Sequence, residues 1–218
     1  MKKKNRRYRE GNIERYIPCP LSKYKVDVPV GESGEWKVEK FKVEEKDVEL
    51  QNMRAAFHPS ERCRMVPVGE YTRLIRGSGI FRDVIMSDTP AEIMDHLDFI
   101  REARGKVLIN GLGLGVALNA ILQKPEVEQV TVIEISEDVV KLVGQHYMDK
   151  AKSKLKIILA DALTWRPEKG ERFDVVWHDI WDNICSDNLE SMKKLHRSYG
   201  RKCDWQGSWG KELCKYQR

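Results

Sequence analysis

The stretch "KVLINGLGLGV", residues 106–116, joins a short apolar run to three glycines that alternate with leucines. A buried strand followed by a turn without side chains opens an α/β unit, whose bare backbone permits a sharp turn or the close approach of another group. Three further apolar runs follow: "QVTVIEI" (129–135), "LKIILA" (155–160) and "FDVVWHDI" (173–180). Residues 115–123 and 137–150 carry helical patterns between the first three runs. Strand and helix in alternation require right-handed crossovers and a parallel sheet covered on both faces. The near-continuous Val, Ile and Leu content of each run agrees with burial on both sides. The expected fold class is therefore α/β, a doubly wound, mostly parallel sheet. "SDNLESMKKLHRSYG" (186–200) adds a helix with Leu189, Met192, Leu195 and Tyr199 inward and Gly200 as its stop. The polar remainder has room for one more strand, at "KCDW", so the sheet is expected to be C-terminally shortened.

Upstream, "KYKVDV", "WKVEKFKV", "YTRLIR" and "RDVIM" alternate, with turn-like "VPVGESGE" and "HPSERC" between them. They predict a small antiparallel β-rich region over 24–87, without helices, that covers the mouth of the following domain or contacts substrate. "SDTPAEIMDHLDFIREAR" then opens a helix: Thr89 is the N-cap, Pro90 the first helical residue, and Glu92 completes a Thr-x-x-Glu capping box. Ile93, Leu97 and Ile100 share one face. The expected division is a flexible basic tail over 1–23, the β-rich region, and a ligand-binding domain over 88–218.

A chain of 218 residues with net charge +5 makes one compact domain with an appendage. No apolar stretch approaches the roughly 18 residues of a membrane span. The basic start has no apolar segment behind it, so the expectation is a cytoplasmic protein without a secretory signal. The five cysteines, Cys19, Cys63, Cys185, Cys203 and Cys214, form no Cys-x-x-Cys pair and read as free thiols rather than metal ligands. Nothing around Cys185 marks a nucleophile. Charge is uneven: residues 1–10 carry +5, residues 193–218 carry +6 and the span between carries −6. Such basic ends are a solvated terminus in the plainer reading, and a contact for nucleic acid or another anion in the other.

In an open α/β sheet, ligands bind beyond the carboxyl ends of the strands. The first tip is the turn from Asn110 through Gly111, Gly113 and Gly115. The second carries Glu134, an acceptor for ribose hydroxyls, and the third carries Asp161 followed by Ala162, where a carboxylate can accept from an exocyclic amine. Together they specify an adenosine-bearing ligand. Val116 and Leu118 break both registers of the dinucleotide fingerprint, and no Gly-Lys-Ser/Thr phosphate loop is present.

On these residues the span 106–182 resembles the cofactor-binding half of class I S-adenosylmethionine-dependent methyltransferases, with a Rossmann-like fold. The resemblance implies that Gly111, Gly113 and Gly115 lie beside the methionine part of S-adenosylmethionine, Glu134 at the ribose and Asp161 with Ala162 at the adenine, with Asn110 and Ile135 also among the cofactor-binding residues. "FDVVWHDIWDN" adds Asp179-x-x-Asp182, which is similar to the spermidine synthase branch. There the matching acids hold and deprotonate an attacking amine, implying Asp182 as base and Asp179 nearer the cofactor. The physical logic is that a carboxylate both attracts an ammonium and can take its proton. The plainer alternative is a helix-capping or solvated acid pair. Trp177, Trp181 and His178 read as packing and rim residues, with His178 facing the helix layer if Asp179 faces the ligand.

Three departures separate the chain from that branch. Leu114 stands where an Asp is usual in the loop, Asn183-Ile184-Cys185 replaces a Pro-Gly-containing segment, and no Tyr-Gln gate precedes residue 106. The first expectation is accordingly methyl transfer from S-adenosylmethionine to a small-molecule or amine-bearing acceptor, with no membrane partner. Alternatives are aminopropyl transfer from decarboxylated S-adenosylmethionine, and a non-catalytic nucleotide- or nucleic-acid-binding module. The absence of an Asn/Asp-Pro-Pro-Tyr/Phe loop disfavours methylation of a base amine. An exposed sheet edge after the shortened C-terminus suggests a homo-oligomer.

Overall fold

The computed structural model describes residues 21–57 and 64–216. The basic segment at residues 1–20 with Cys19, and the whole of "HPSERC" with Cys63, lie outside the described residues. Four antiparallel strands come first: β1 (Gly31–Ser33), β2 (Trp36–Val43), β3 (Gly69–Arg76) and β4 (Asp83–Ser87), in that spatial order. β2 and β3 pair over eight residues, from Trp36 opposite Arg76 to Val43 opposite Gly69.

Two expectations for this region are corrected. "KYKVDV" is not a strand: a short 3₁₀ turn, Leu21–Tyr24, leads into irregular chain that buries Val26 and Val28, while the first strand is formed by "GES" inside the expected turn. Helix α1 (Glu45–Phe57) is inserted between β2 and β3. It is built from good helix formers and started by Asp47, whose carboxylate accepts the Glu44 N–H at 2.8 Å. Leu50, Met53 and Phe57 are exposed, so α1 has no inward apolar stripe for a periodicity argument to find.

The helix expected after residue 88 is two helices, α2 (Pro90–Asp95) and α3 (Leu97–Glu102), broken at His96. Thr89 occupies the N-cap without a side-chain bond to a helix N–H, its hydroxyl pairing instead with that of Ser87 at 3.1 Å, and Glu92 accepts from the Ser87 N–H (2.7 Å) and hydroxyl (3.2 Å). The expected capping box is therefore not formed.

The second sheet contains β5 (Gly105–Asn110), β6 (Val127–Glu134), β7 (Leu155–Leu159), β8 (Phe173–His178) and β9 (Cys203–Ser208), all parallel, in the order β7-β6-β5-β8-β9. β9 is the strand for which "KCDW" left room. The connections carry α4 (Val116–Leu122), α5 (Glu137–Val139) running through a π-turn into α6 (Gln145–Ala151), α7 (Asn188–Tyr199) and, after β9, α8 (Lys211–Tyr216). On one face Val107, Ile109 and Trp177 pack with Phe99, Leu118 and Tyr147. On the other, Leu108, Ile133 and Val176 pack with Leu195 and Tyr199 of α7. The chain moves outward from β5 in both directions, so the crevice beyond the tips of β5 and β8 is the switch point where such sheets bind ligands.

The antiparallel sheet lies across that mouth. Ser33 Oγ donates to Asp138 Oδ1 at 2.7 Å, Met86 packs on the loop after β5, and Arg76 reaches Asp182 at 2.7 Å.

Candidate active site

The glycine turn is packed against its own chain. Gly111 has φ +95°, and a Cβ there would overlap the Asp179 carbonyl. The same crossing is stitched by Asp179 N–H to Asn110 O (2.7 Å), while Gly111 N–H to Ile133 O (2.8 Å) ties the turn to β6. A Cβ at Gly113 would stand 2.8 Å from Met86 Cε, and one at Gly115 would meet the Tyr147 ring. The Leu114 N–H also donates to Met86 Sδ at 3.3 Å. The side chains are missing because a carbonyl, a thioether and a phenol ring of this chain come close.

Asn110 is fully buried and turned into the interior, where its Nδ2 donates to His178 Nδ1 at 2.8 Å. His178 Nε2 in turn faces Gln206 Oε1 at 3.3 Å, and its ring lies against His196 and Tyr199 of α7. The Asn110 side chain is thus committed away from the mouth, and His178 faces the helix layer. Burial holds both histidines neutral, with His178 pushed down to about 3 and His196 to about 4.

At the next two tips the acids are anchored by backbone. Glu134 is buried, with Oε2 accepting from Leu112 N–H and Oε1 from Ser136 N–H, both at 2.8 Å. Asp161 Oδ1 accepts from Leu163 N–H at 2.7 Å. Each carboxylate is fixed in direction and keeps lone pairs for further donors. Ile135 is 71% exposed, whereas Ala162 is buried.

The fourth tip separates the two acids that sequence grouped together. Asp179 has a side chain 6% exposed, 3.9 Å from His96 Nε2. Burial first, and then the carboxylates of Glu92, Asp95 and Glu134, push its pKa well above the usual carboxylate range. Asp182 is 43% exposed and ion-paired with Arg76, whose guanidinium also lies 5.5 Å from the Trp36 ring centroid. Asp182, expected as the base, is thus held by a cation from β3, and Asp179, expected nearer the cofactor, is the secluded acid.

Sequence reasoning missed the partners of Asp179. Glu92, Asp95 and His96 lie in "EIMDH" at the i, i+3, i+4 spacing of one helical face, a polar pattern interleaved with the apolar spacing of Ile93 and Leu97. Asp95 is held by Arg64 at 2.8 Å and by the Trp209 indole N–H at 3.3 Å. Burial raises Glu92 to about 7. A carboxyl raised on folding gives stability that is full below the unfolded pKa near 4.5 and is lost as pH rises through about 7. Glu92→Gln is therefore expected to gain about 3 kcal/mol relative to the parent between pH 4 and pH 8. Urea unfolding of both proteins at the two pH values measures this, and a pH-independent difference would refute it.

Two open depressions, of about 570 and 930 Å³, lie elsewhere, beside Lys42 and Glu70 and along α7 beside Leu163 and Arg197. Neither contains a candidate residue, and the strand tips remain the candidate site. Among the described residues no group of three His, Cys, Asp or Glu is placed to hold a metal ion. No described helix is long and apolar enough to cross a membrane.

A parallel sheet in this order, with a glycine turn after its central strand and acids at the next tips, is a class I S-adenosylmethionine-dependent methyltransferase-like fold. The family model "Spermine/spermidine synthase domain" matches residues 87–203, more than half of the chain, and the chain belongs to that family. It is 33% identical over 100 residues to a polyamine aminopropyltransferase of Sodalis glossinidius (strain morsitans), covering 43% of this chain and 34% of that protein. It is 34% identical over 84 residues to a polyamine aminopropyltransferase of Leptospira interrogans, covering 35% of this chain and 17% of that protein. The chain thus spans about a third or less of these curated relatives. Among solved structures, TrmN from Thermus thermophilus aligns at 16% identity with a TM-score of 0.45, covering 59% of this chain and 41% of that one.

Proposed function

We propose that the strand-tip site transfers an aminopropyl group from decarboxylated S-adenosylmethionine to a primary amine. The observation that carries this reading is the pair of acids at the β8 tip, Asp179 secluded 3.9 Å from His96 and Asp182 partly exposed beside Arg76, in a chain of the spermine/spermidine synthase family. Fixed acceptors at Glu134 and Asp161, with exposed Ile135 beside them, suit a ribose, an adenine amine and a base face. Gly111, Gly113, Gly115 and Ala162 serve by close packing, and Asn110 by holding the tip of β5. The donor supplies a sulfonium whose propyl carbon is electrophilic. The protein's tasks are to orient the amine in line and relieve it of a proton, which falls to Asp179, while Asp182 draws the amine to the mouth.

Methyl transfer from intact S-adenosylmethionine is the second reading, favoured by Leu114, since the loop then has no carboxylate to repel that of the donor. Calorimetric titration with both compounds separates the two. The decarboxylated form is expected to bind at least about tenfold more tightly, and failure of both to bind at millimolar concentration would end both readings. Because Arg76 must release Asp182 before an amine can pair with it, Arg76→Ala is expected to tighten binding of a short aliphatic diamine about fivefold, the worth of about 1 kcal/mol in a partly exposed pair. Unchanged or weaker diamine binding would show that Asp182 does not receive the amine.

A further inference from the structure

His96 is wholly buried, and neither of its ring nitrogens has a hydrogen-bond partner among the described residues. Orphaned buried donors and acceptors are uncommon because each costs free energy, so this one calls for a physical reason. The backbone places the ring deliberately. His96 is the break between α2 and α3, with φ −95° and ψ −6°, and the break turns the side chain inward, edge-on to Trp177 at 5.9 Å between centroids. Its Nε2 stands 3.9 Å from Asp179 Oδ2. That is too long for a hydrogen bond, and about 1 Å of side-chain movement makes one.

We propose that His96 is a positioning residue for Asp179, aiming its carboxyl and exchanging a proton with it when an amine is activated. The role rests on the aminopropyl-transfer reading. The groups facing the pair are Glu92 and Asp95 from α2, Arg64 paired to Asp95, Glu134 from β6 and the Trp177 ring from β8. Burial first, and then Arg64, push the His96 ring down to about 4, so it is neutral at rest and hands back any proton it takes from Asp179.

Asp179 passes its acid proton to His96 Nε2, leaving a carboxylate beside an imidazolium. The incoming R–NH₃⁺ gives a proton to that carboxylate. The freed nitrogen lone pair forms the new C–N bond as the C–S bond breaks with its electrons going to sulfur, leaving a neutral thioether and a secondary ammonium. The imidazolium's proton returns through Asp179 to water as the products leave, so one proton is released per transfer.

The test begins with the unliganded wild-type protein, labelled with ¹⁵N in histidine and ¹³C in aspartate carboxyls. The His96 Nε2 resonance is expected to shift in step with the Asp179 titration. His96→Phe keeps a ring against Trp177 and removes both nitrogens. It is expected to raise the Asp179 midpoint by about one pH unit or more, move the acidic limb of the kcat profile with it, and lower kcat at neutral pH at least about tenfold. Donor affinity should stay within about twofold, since the ring acts through Asp179. His96→Gln, which donates a hydrogen bond but exchanges no proton, should restore the Asp179 midpoint and not kcat. A His96 resonance blind to Asp179, which needs no variant to fold, would overturn the proposal. So would an unmoved pH limb in His96→Phe. Linked titration in a protein that modifies no diamine would support the pairing and overturn aminopropyl transfer instead, so the two failures are distinguishable.

Discussion

Gly111→Ala is expected to destabilise the protein by about 4 kcal/mol or to prevent folding. Two effects add. The residue holds φ +95°, a region where a side chain is strained, and the new methyl would occupy the position of the Asp179 carbonyl oxygen. That carbonyl belongs to backbone and cannot swing aside, because the Asp179 N–H is bonded to Asn110 O across the same crossing. Relief would require β5 and β8 to separate, and their tips carry the site. Gly170 is the control: its φ is +90°, but nothing lies within 4 Å of the added methyl. Gly170→Ala should cost only about 1 kcal/mol of backbone strain. Urea unfolding compares the two variants with wild type, and losses equal to within about 1 kcal/mol would show that the carbonyl contact is not what excludes a side chain.

Asp179→Asn is expected to lower kcat by a factor of about 100 to 1,000 while leaving the protein folded. The amide keeps the shape and cannot take a proton from the amine. Since burial and three neighbouring carboxyls disfavour the charged form of Asp179, the neutral replacement is expected to be more stable than wild type at alkaline pH, where the native carboxyl must ionise at a cost. A loss of activity joined to a gain of stability distinguishes a proton acceptor from a scaffold residue. Steady-state rates with a diamine acceptor, together with unfolding at pH 9, decide it, and a variant within about threefold of wild-type kcat would remove Asp179 from the chemistry.

The parallel sheet was legible because its strands are buried on both faces and written as continuous apolar runs, a pattern that depends little on what packs against them. Helix α1 was not, because its apolar residues face solvent and only propensity marks it. The broken helix at 90–102 was read as continuous, since the apolar spacing of Ile93, Leu97 and Ile100 survives the break at His96. At the site, the acids of the second, third and fourth tips could be found by position alone. Their condition could not: Arg76 reaches Asp182 across 106 residues of sequence, and Asp179 is secluded by side chains from α2 and β6. The glycines were recognised as points of close approach, but the approaching groups, Met86 and Tyr147 among them, come from outside the motif.

Val26, Val38, Leu74 and Met86 from the antiparallel region belong to the same buried cluster as Val107, Ile109 and Leu118 of the parallel domain. The covering sheet therefore cannot swing away like a door, because opening it would wet the shared interior. Under the proposed function, a ligand would reach the strand tips by rotation of individual side chains rather than by movement of the sheet. Met86, with three freely turning bonds and a soft sulfur, is the bolt best suited to slide.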